Sequence, residues 1–203
     1  MTQIPAGART RLLIIAVLIS CAACVGRDVA DNAPVDSTAG GSPGATRAGS
    51  EFEIQVQRLA DGDSFTAVDR NGRQLKVRLA AIDSPERQQA GGREATDFLE
   101  QLSRGRWLRL QVRKVDRYGR LVGKILINGE DAGLAMVEAG LAWHFKRYEG
   151  EQPRAERLAF RAAQERARNA GKGIWHHPNP RPPWEWRREQ QSKRELKSGE
   201  KAN

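Results

Sequence analysis

Gln74-Leu75-Lys76-Val77-Arg78-Leu79 alternates polar and apolar side chains, and Ile82-Asp83-Ser84-Pro85-Glu86 follows it almost at once. Alternation of this kind marks a strand with one buried face. Leu75, Val77 and Leu79 face a core, and Arg78 stands on the opposite side. Asn71-Gly72, just upstream, is a hairpin signal that joins this strand to Ser64–Val68. Further upstream, Phe52, Ile54 and Val56 alternate with Glu51, Glu53, Gln55 and Gln57 to give a first strand. Downstream, Leu108, Leu110 and Val112 share one face of Trp107–Val115, and a fifth strand spans Leu121–Ile127 before Asn128-Gly129.

Helical spacing appears where the strands stop. Ala95, Phe98, Leu99 and Leu102 recur at helical intervals, and a short helix is predicted over Ala132–Ala139. A longer helix starts near Pro153, a favoured first-turn residue, and runs to about Asn169, where Gly171 and Gly173 end it. Ile174 and Trp175 then fold back as an apolar clasp. The order predicts an α+β fold, a five-stranded OB-fold barrel with about three helices, a shape suited to nucleic acids and oligosaccharides.

The chain has 203 residues and a net charge of +9. That basic excess points to a polyanion, either nucleic acid or an anionic membrane. Its two cysteines, Cys21 and Cys24, precede the predicted domain, so the domain has no internal disulfide and no thiolate metal site. Arg9 and Arg11 precede the apolar run Leu12–Ile19, the pattern of an export signal over residues 1–25. The run is short for a span, which takes ~20 apolar residues. Leu18-Ile19-Ser20-Cys21 resembles a bacterial lipobox, which implies lipidation at Cys21 and a membrane anchor. Ordinary cleavage near Cys24, giving a secreted soluble protein, and an uncleaved anchor are the other outcomes. Residues 26–50 read as a flexible linker rich in Ala, Gly, Ser, Asp and Pro. Residues 51–177 form the domain. From residue 178 the chain reads as a Pro- and Trp-rich segment, then a basic and largely disordered tail.

Four pieces carry chemistry: Asp61-Gly62-Asp63, Arg78, Asp83-Ser84-Pro85-Glu86 and Asp116-Arg117-Tyr118-Gly119-Arg120. Carboxylates able to hold a hard cation lie near arginines able to hold a phosphate. Phosphodiester hydrolysis needs both, together with a base for water. Alone, each piece reads as a turn, a surface arginine or a solvated acid. Together they point to one site.

These motifs, with Val77-Arg78-Leu79 and Gly173-Ile174-Trp175, resemble the thermonuclease, or staphylococcal-nuclease-like, family from about Phe52 to Trp175. The resemblance implies a Ca²⁺ held by Asp63, Asp83 and the Ser84 carbonyl oxygen, with Asp61 orienting a bound water. Oxygen donors of this sort suit Ca²⁺. It implies Glu86 as general base and Arg78 and Arg120 as the phosphate clamp. Arg117 and Tyr118 fall near a terminal phosphate of the substrate, and Tyr148 lines a base pocket. Lys146 stands where a second pocket aromatic is expected, with Phe145 beside it. The implied activity is hydrolysis of DNA and RNA, single-stranded or frayed, to 3′-phosphate ends by a monomeric cell-envelope or secreted enzyme. Two readings compete with it: a non-catalytic nucleic-acid-binding module on the same fold, and a basic lipoprotein that clings to anionic polymers.

Overall fold

The structure, a computed structural model, describes residues 47–200. The expected export signal, Cys21 and the expected linker as far as residue 46 lie outside the described residues. The elements are β1 (Glu51–Leu59), β2 (Ser64–Asp69), β3 (Gln74–Leu79), β4 (Ile82–Asp83), α1 (Gly92–Ser103), β5 (Leu108–Val115), β6 (Leu121–Ile127), β7 (Glu130–Asp131), α2 (Ala132–Glu138), β8 (Trp143–His144), α3 (Arg154–Asn169) and α4 (Pro183–Glu200). Short 3₁₀ turns fill Lys146–Glu151 and Gly173–His176.

Five strands close a mixed barrel in the order β3-β2-β1-β5-β6, with antiparallel neighbours throughout. The closing seam is parallel and pairs Val77 with Leu121, Arg78 with Val122 and Leu79 with Gly123. Irregular registers at Val56/Arg58 in β1 and Val112/Lys114 in β5 supply the bends that let a sheet curl into a barrel. The alternating residues read from the sequence fill its interior, among them Ile54, Val77, Leu79, Leu108, Leu110 and Ile125. Gly49 and Ser50 already bond to Val112, so pairing with the barrel starts two residues before the expected start of the domain at residue 51.

Helices cover one side of the barrel. Ala95 and Leu99 of α1 and Phe160 and Ala163 of α3 join the barrel core. Asp131 caps α2 by accepting the N–H of Gly133 at 2.9 Å. Ile174 and Trp175 form the expected clasp with Ala167, and Trp175 meets Trp143 edge-on at 4.4 Å between ring centres. Two glycines allow backbone approaches that shape the site. A Cβ on Gly62 would lie 2.7 Å from Ala95 Cβ and 2.9 Å from Ser84 Oγ. One on Gly92 would lie 1.9 Å from Glu86 O, so a side chain there would push the Glu86 loop away from α1.

The tail departs from expectation. Rather than a largely disordered stretch, Pro183–Glu200 forms an 18-residue helix. Pro183 occupies the first turn, where proline's missing N–H has no intrahelical partner to lose. Glu189 pairs with Lys193 at 2.7 Å, and Gln191 donates to Glu195 at 2.9 Å, both four residues apart. Trp184 packs against Trp143 and Phe145, with centroids 5.8 and 5.6 Å away. Gln89 Nε2 donates to Arg181 O at 2.7 Å and straps the approach to the helix onto the domain.

Candidate active site

The site sits where β2, β3 and β4 meet. Asp61 turns the chain into β2 by accepting the N–H groups of Asp63 and Ser64 on Oδ1, at 2.9 and 2.8 Å. That turn delivers Asp63 to the barrel's end, where its side chain is only 2% exposed. Asp63 Oδ1 accepts from Ser64 Oγ (2.7 Å) and Arg78 Nη1 (2.6 Å), and Oδ2 accepts from Ser84 N (2.9 Å). Arg78 then spans to the second carboxylate. Its Nη2 donates to Asp83 Oδ1 at 2.9 Å and to Ile82 O at 3.3 Å. Asp83 is wholly buried.

Crowding of negative charge shows in the titration of these groups. Burial, and then the charge of Asp63, push the Asp61 carboxyl up to about 7. Burial also raises Asp83, against the pull of the guanidinium groups of Arg187 and Arg78. Burial alone would lower Arg78, but the carboxylates of Asp63 and Asp83 outweigh it and hold the guanidinium more firmly protonated.

A second turn brings the other arginine. Asp116 Oδ1 accepts the N–H groups of Tyr118 and Arg120, each at 2.9 Å, and Oδ2 accepts from Arg120 Nε at 2.8 Å. Burial would raise the Asp116 carboxyl, but the bonds from Arg120 and Tyr118 N–H hold it below the usual carboxylate range. So oriented, Arg120 Nη1 reaches Ser64 Oγ at 3.5 Å, one residue from Asp63. Arg78, Arg120, Arg117, Tyr118 and Tyr148 line one cleft. Within it Arg117 donates to Tyr118 Oη at 2.7 Å. Tyr148 lies edge-on to Phe145 at 5.5 Å, and the Lys114 ammonium sits 4.5 Å from its ring centre. Lys146 is exposed, while Phe145 takes the pocket-side position.

One residue of the site was not anticipated. Arg187, on α4, donates from Nη2 to Asp83 Oδ2 at 2.6 Å and from Nη1 to Glu86 Oε1 at 2.7 Å. A single guanidinium therefore bridges Asp83 and Glu86. The available signal was Pro183 followed by a stretch without glycine or proline as far as Gly199, which permits a helix over Arg187.

A hard cation fits the donors. Asp63 and Asp83 supply carboxylate oxygens, and the buried Ser84 Oγ beside them has no hydrogen-bond partner. Among the described residues no three His, Cys, Asp or Glu side chains converge on one metal position, so backbone oxygen and water must complete any coordination shell. His144 stacks on Phe160 in the interior, at 5.5 Å between ring centres. Arg187 already offsets the charge of Asp83, so an incoming cation competes with it.

The family model for staphylococcal nuclease homologues matches residues 76–177. An "Uncharacterized endonuclease" of Haemophilus influenzae is 34% identical over 136 residues, covering 67% of this chain and 73% of the relative. Protein ParB of Escherichia coli is 33% identical over 161 residues, covering 74% of this chain and 88% of its own length. "Staphylococcal-like nuclease CAN1" of Arabidopsis thaliana is 38% identical over 125 residues, but the match spans only 37% of that longer protein.

Arg187→Gln removes one of the two guanidinium groups facing Asp83. In a chelator its melting temperature is expected to fall below that of the parent chain, and added Ca²⁺ is expected to narrow the gap by replacing the lost charge. Equal melting temperatures in chelator, or a gap that widens with Ca²⁺, would show that Arg187 and a cation do not share this charge.

Proposed function

The chain belongs to the family of staphylococcal nuclease homologues and is a nuclease, a hydrolase of phosphodiester bonds; we propose that it is calcium-dependent and cleaves DNA and RNA to 3′-phosphate products. The observation that carries this reading is Arg78 held between Asp63 and Asp83, with Glu86 and Arg120 at the same end of the barrel.

Asp63, Asp83 and the Ser84 carbonyl oxygen are the groups that would hold Ca²⁺. Bound there, the ion supplies positive charge for the phosphoryl oxygens and a more acidic water. Glu86 takes the proton from the attacking water, a role open to a carboxylate within hydrogen-bond reach of it. The water oxygen bonds to phosphorus as the P–O5′ bond breaks, and the departing O5′ takes a proton from solvent to leave as a 5′-hydroxyl. Arg78 and Arg120 donate to the phosphoryl oxygens as negative charge grows on them. A guanidinium has five N–H groups, more than Arg78 spends on Asp63, Asp83 and Ile82. Asp116 acts by aiming Arg120. Tyr148 and Phe145 offer aromatic faces to a base, and the unstacked bases of a single strand or a frayed end reach such faces more readily than bases stacked in an intact duplex.

The grip of Arg187 on Asp83 and Glu86 favours a second reading, a module that binds nucleic acid without cutting it. The chain from Arg47 onward, given heat-denatured DNA with Ca²⁺ or with EDTA, separates the two. Cleavage is expected only with Ca²⁺, and Glu86→Gln and Arg120→Ala should each slow it by roughly a hundredfold or more. Salt-dependent binding without cleavage by the parent chain would establish the binding module instead.

We further propose that the protein is exported and held at the cell envelope through Cys21. Support comes from Arg9 and Arg11, the apolar run after them, and Leu18-Ile19-Ser20-Cys21. Metabolic labelling with a tagged fatty acid should mark the parent chain and leave Cys21→Ser unmarked. Equal labelling of both, or of neither, would refute a lipid at Cys21.

A further inference from the structure

The family match stops at residue 177, and α4 then returns the chain to the loop that carries Asp83 and Glu86. Between α4, α3 and the segment from Trp143 to Arg147 lies an open groove of about 910 Å³. It carries Arg117, Lys146, Arg147, Arg168, Arg187 and Arg188, and no Asp or Glu lines it. Arg187 is committed to Asp83 and Glu86. The other five are exposed and form no ion pair among the described residues. Elsewhere on the domain Arg70, Arg113, Arg161 and Arg166 each have a carboxylate partner. Like charges gathered without counter-charges repel one another, and a polyanion relieves that repulsion.

Aromatic rings follow the same path. Tyr148 meets Phe145 at 5.5 Å, Phe145 meets Trp184 at 5.6 Å, and Trp184 meets Trp143 at 5.8 Å. Tyr148 lines the cleft with Arg78 and Arg120, Phe145 lines both cleft and groove, and Trp184 lines the groove. The row thus leads out of the cleft and under α4. Phe145 and Trp184 are only partly buried, so each keeps ring surface for a ligand. Cations that track a backbone beside rings that accept stacked bases are the two elements of sequence-tolerant single-strand binding. The Arg187 pairs pin α4 in place, so this wall is preformed.

We propose that the groove roofed by α4 is an extended subsite for a single strand of nucleic acid, holding nucleotides beyond the cleavage point. Bases stack on Phe145 and Trp184, and phosphates lie along Arg168 and Arg188. The proposal rests on the nuclease reading and adds to it a reason for longer strands to bind better than short ones.

Fluorescence anisotropy with the full chain in EDTA tests this without cleavage. The probes are a labelled dinucleotide, which fills only the cleft, and a labelled oligonucleotide of about eight nucleotides, within the span one such barrel covers. The expected result has four parts. The parent binds the longer probe more tightly. The double variant Arg168→Gln/Arg188→Gln, like Trp184→Ala, loses roughly tenfold in affinity for the longer probe. The double variant also flattens the slope of log affinity against log salt by roughly 0.7 for each arginine removed. Dinucleotide affinity stays level. If Trp184→Ala loosens α4, the exposed arginines still carry the test. A parent that cleaves DNA in Ca²⁺ while the double variant keeps both affinity and salt slope would overturn the subsite and leave the nuclease standing. A parent that neither cleaves nor binds either probe would overturn both.

Discussion

Arg78 lies between two carboxylates that are 2% and 0% exposed, and the domain is organised around that contact. Burying two negative charges is unfavourable unless each is paired and hydrogen-bonded, and removing one partner of such a cluster costs about 3–5 kcal/mol. The guanidinium ties the turn before β2 to β4 through β3. Arg78 also sits on the parallel seam that closes the barrel, opposite Val122 of β6, and Arg120 lies immediately before that strand. Barrel closure and the charged site therefore share the same strands.

Around that contact the chain uses short, local devices. Asp61 and Asp116 each fold a turn by accepting two backbone N–H groups, and each turn delivers a charged side chain to the candidate site, Asp63 in one case and Arg120 in the other. Gly62 and Gly92 let backbone and α1 approach closely enough to seat Ser84 and the Glu86 loop. Arg78 and Asp83 sit on strands, while Asp63 and Arg120 are held by hydrogen-bonded turns, a pre-set geometry of the kind that electrostatic catalysis uses because little reorganisation is left for the moment of reaction.

Much of this was legible in the sequence. Alternation in 51–57, 74–79 and 108–112 identified the barrel strands because one face of each is buried, and the carboxylate and arginine motifs identified the residues that converge. The tail was not legible. Its helix has only two tryptophans as apolar anchors near one end, so no apolar stripe announces it. Its place is set by contacts far apart in sequence, Arg187 to Asp83 and Glu86 and Trp184 to Trp143. Its prolines and its charge made residues 178–203 read as a Pro- and Trp-rich segment followed by a basic, largely disordered tail. The exchange at Lys146 was visible, but only packing showed Phe145 between Tyr148 and Trp184.

Arg78→Lys is the most direct measurement, made as cleavage of denatured DNA in Ca²⁺ beside a thermal melt. Lysine keeps the positive charge between Asp63 and Asp83 but cannot bridge them and grip a phosphate with a planar fork. The variant is expected to stay folded at room temperature and to cleave roughly a hundredfold or more slowly. A folded Arg78→Lys protein that cleaves at the parental rate would contradict the account, because the guanidinium would then be only a structural counter-charge.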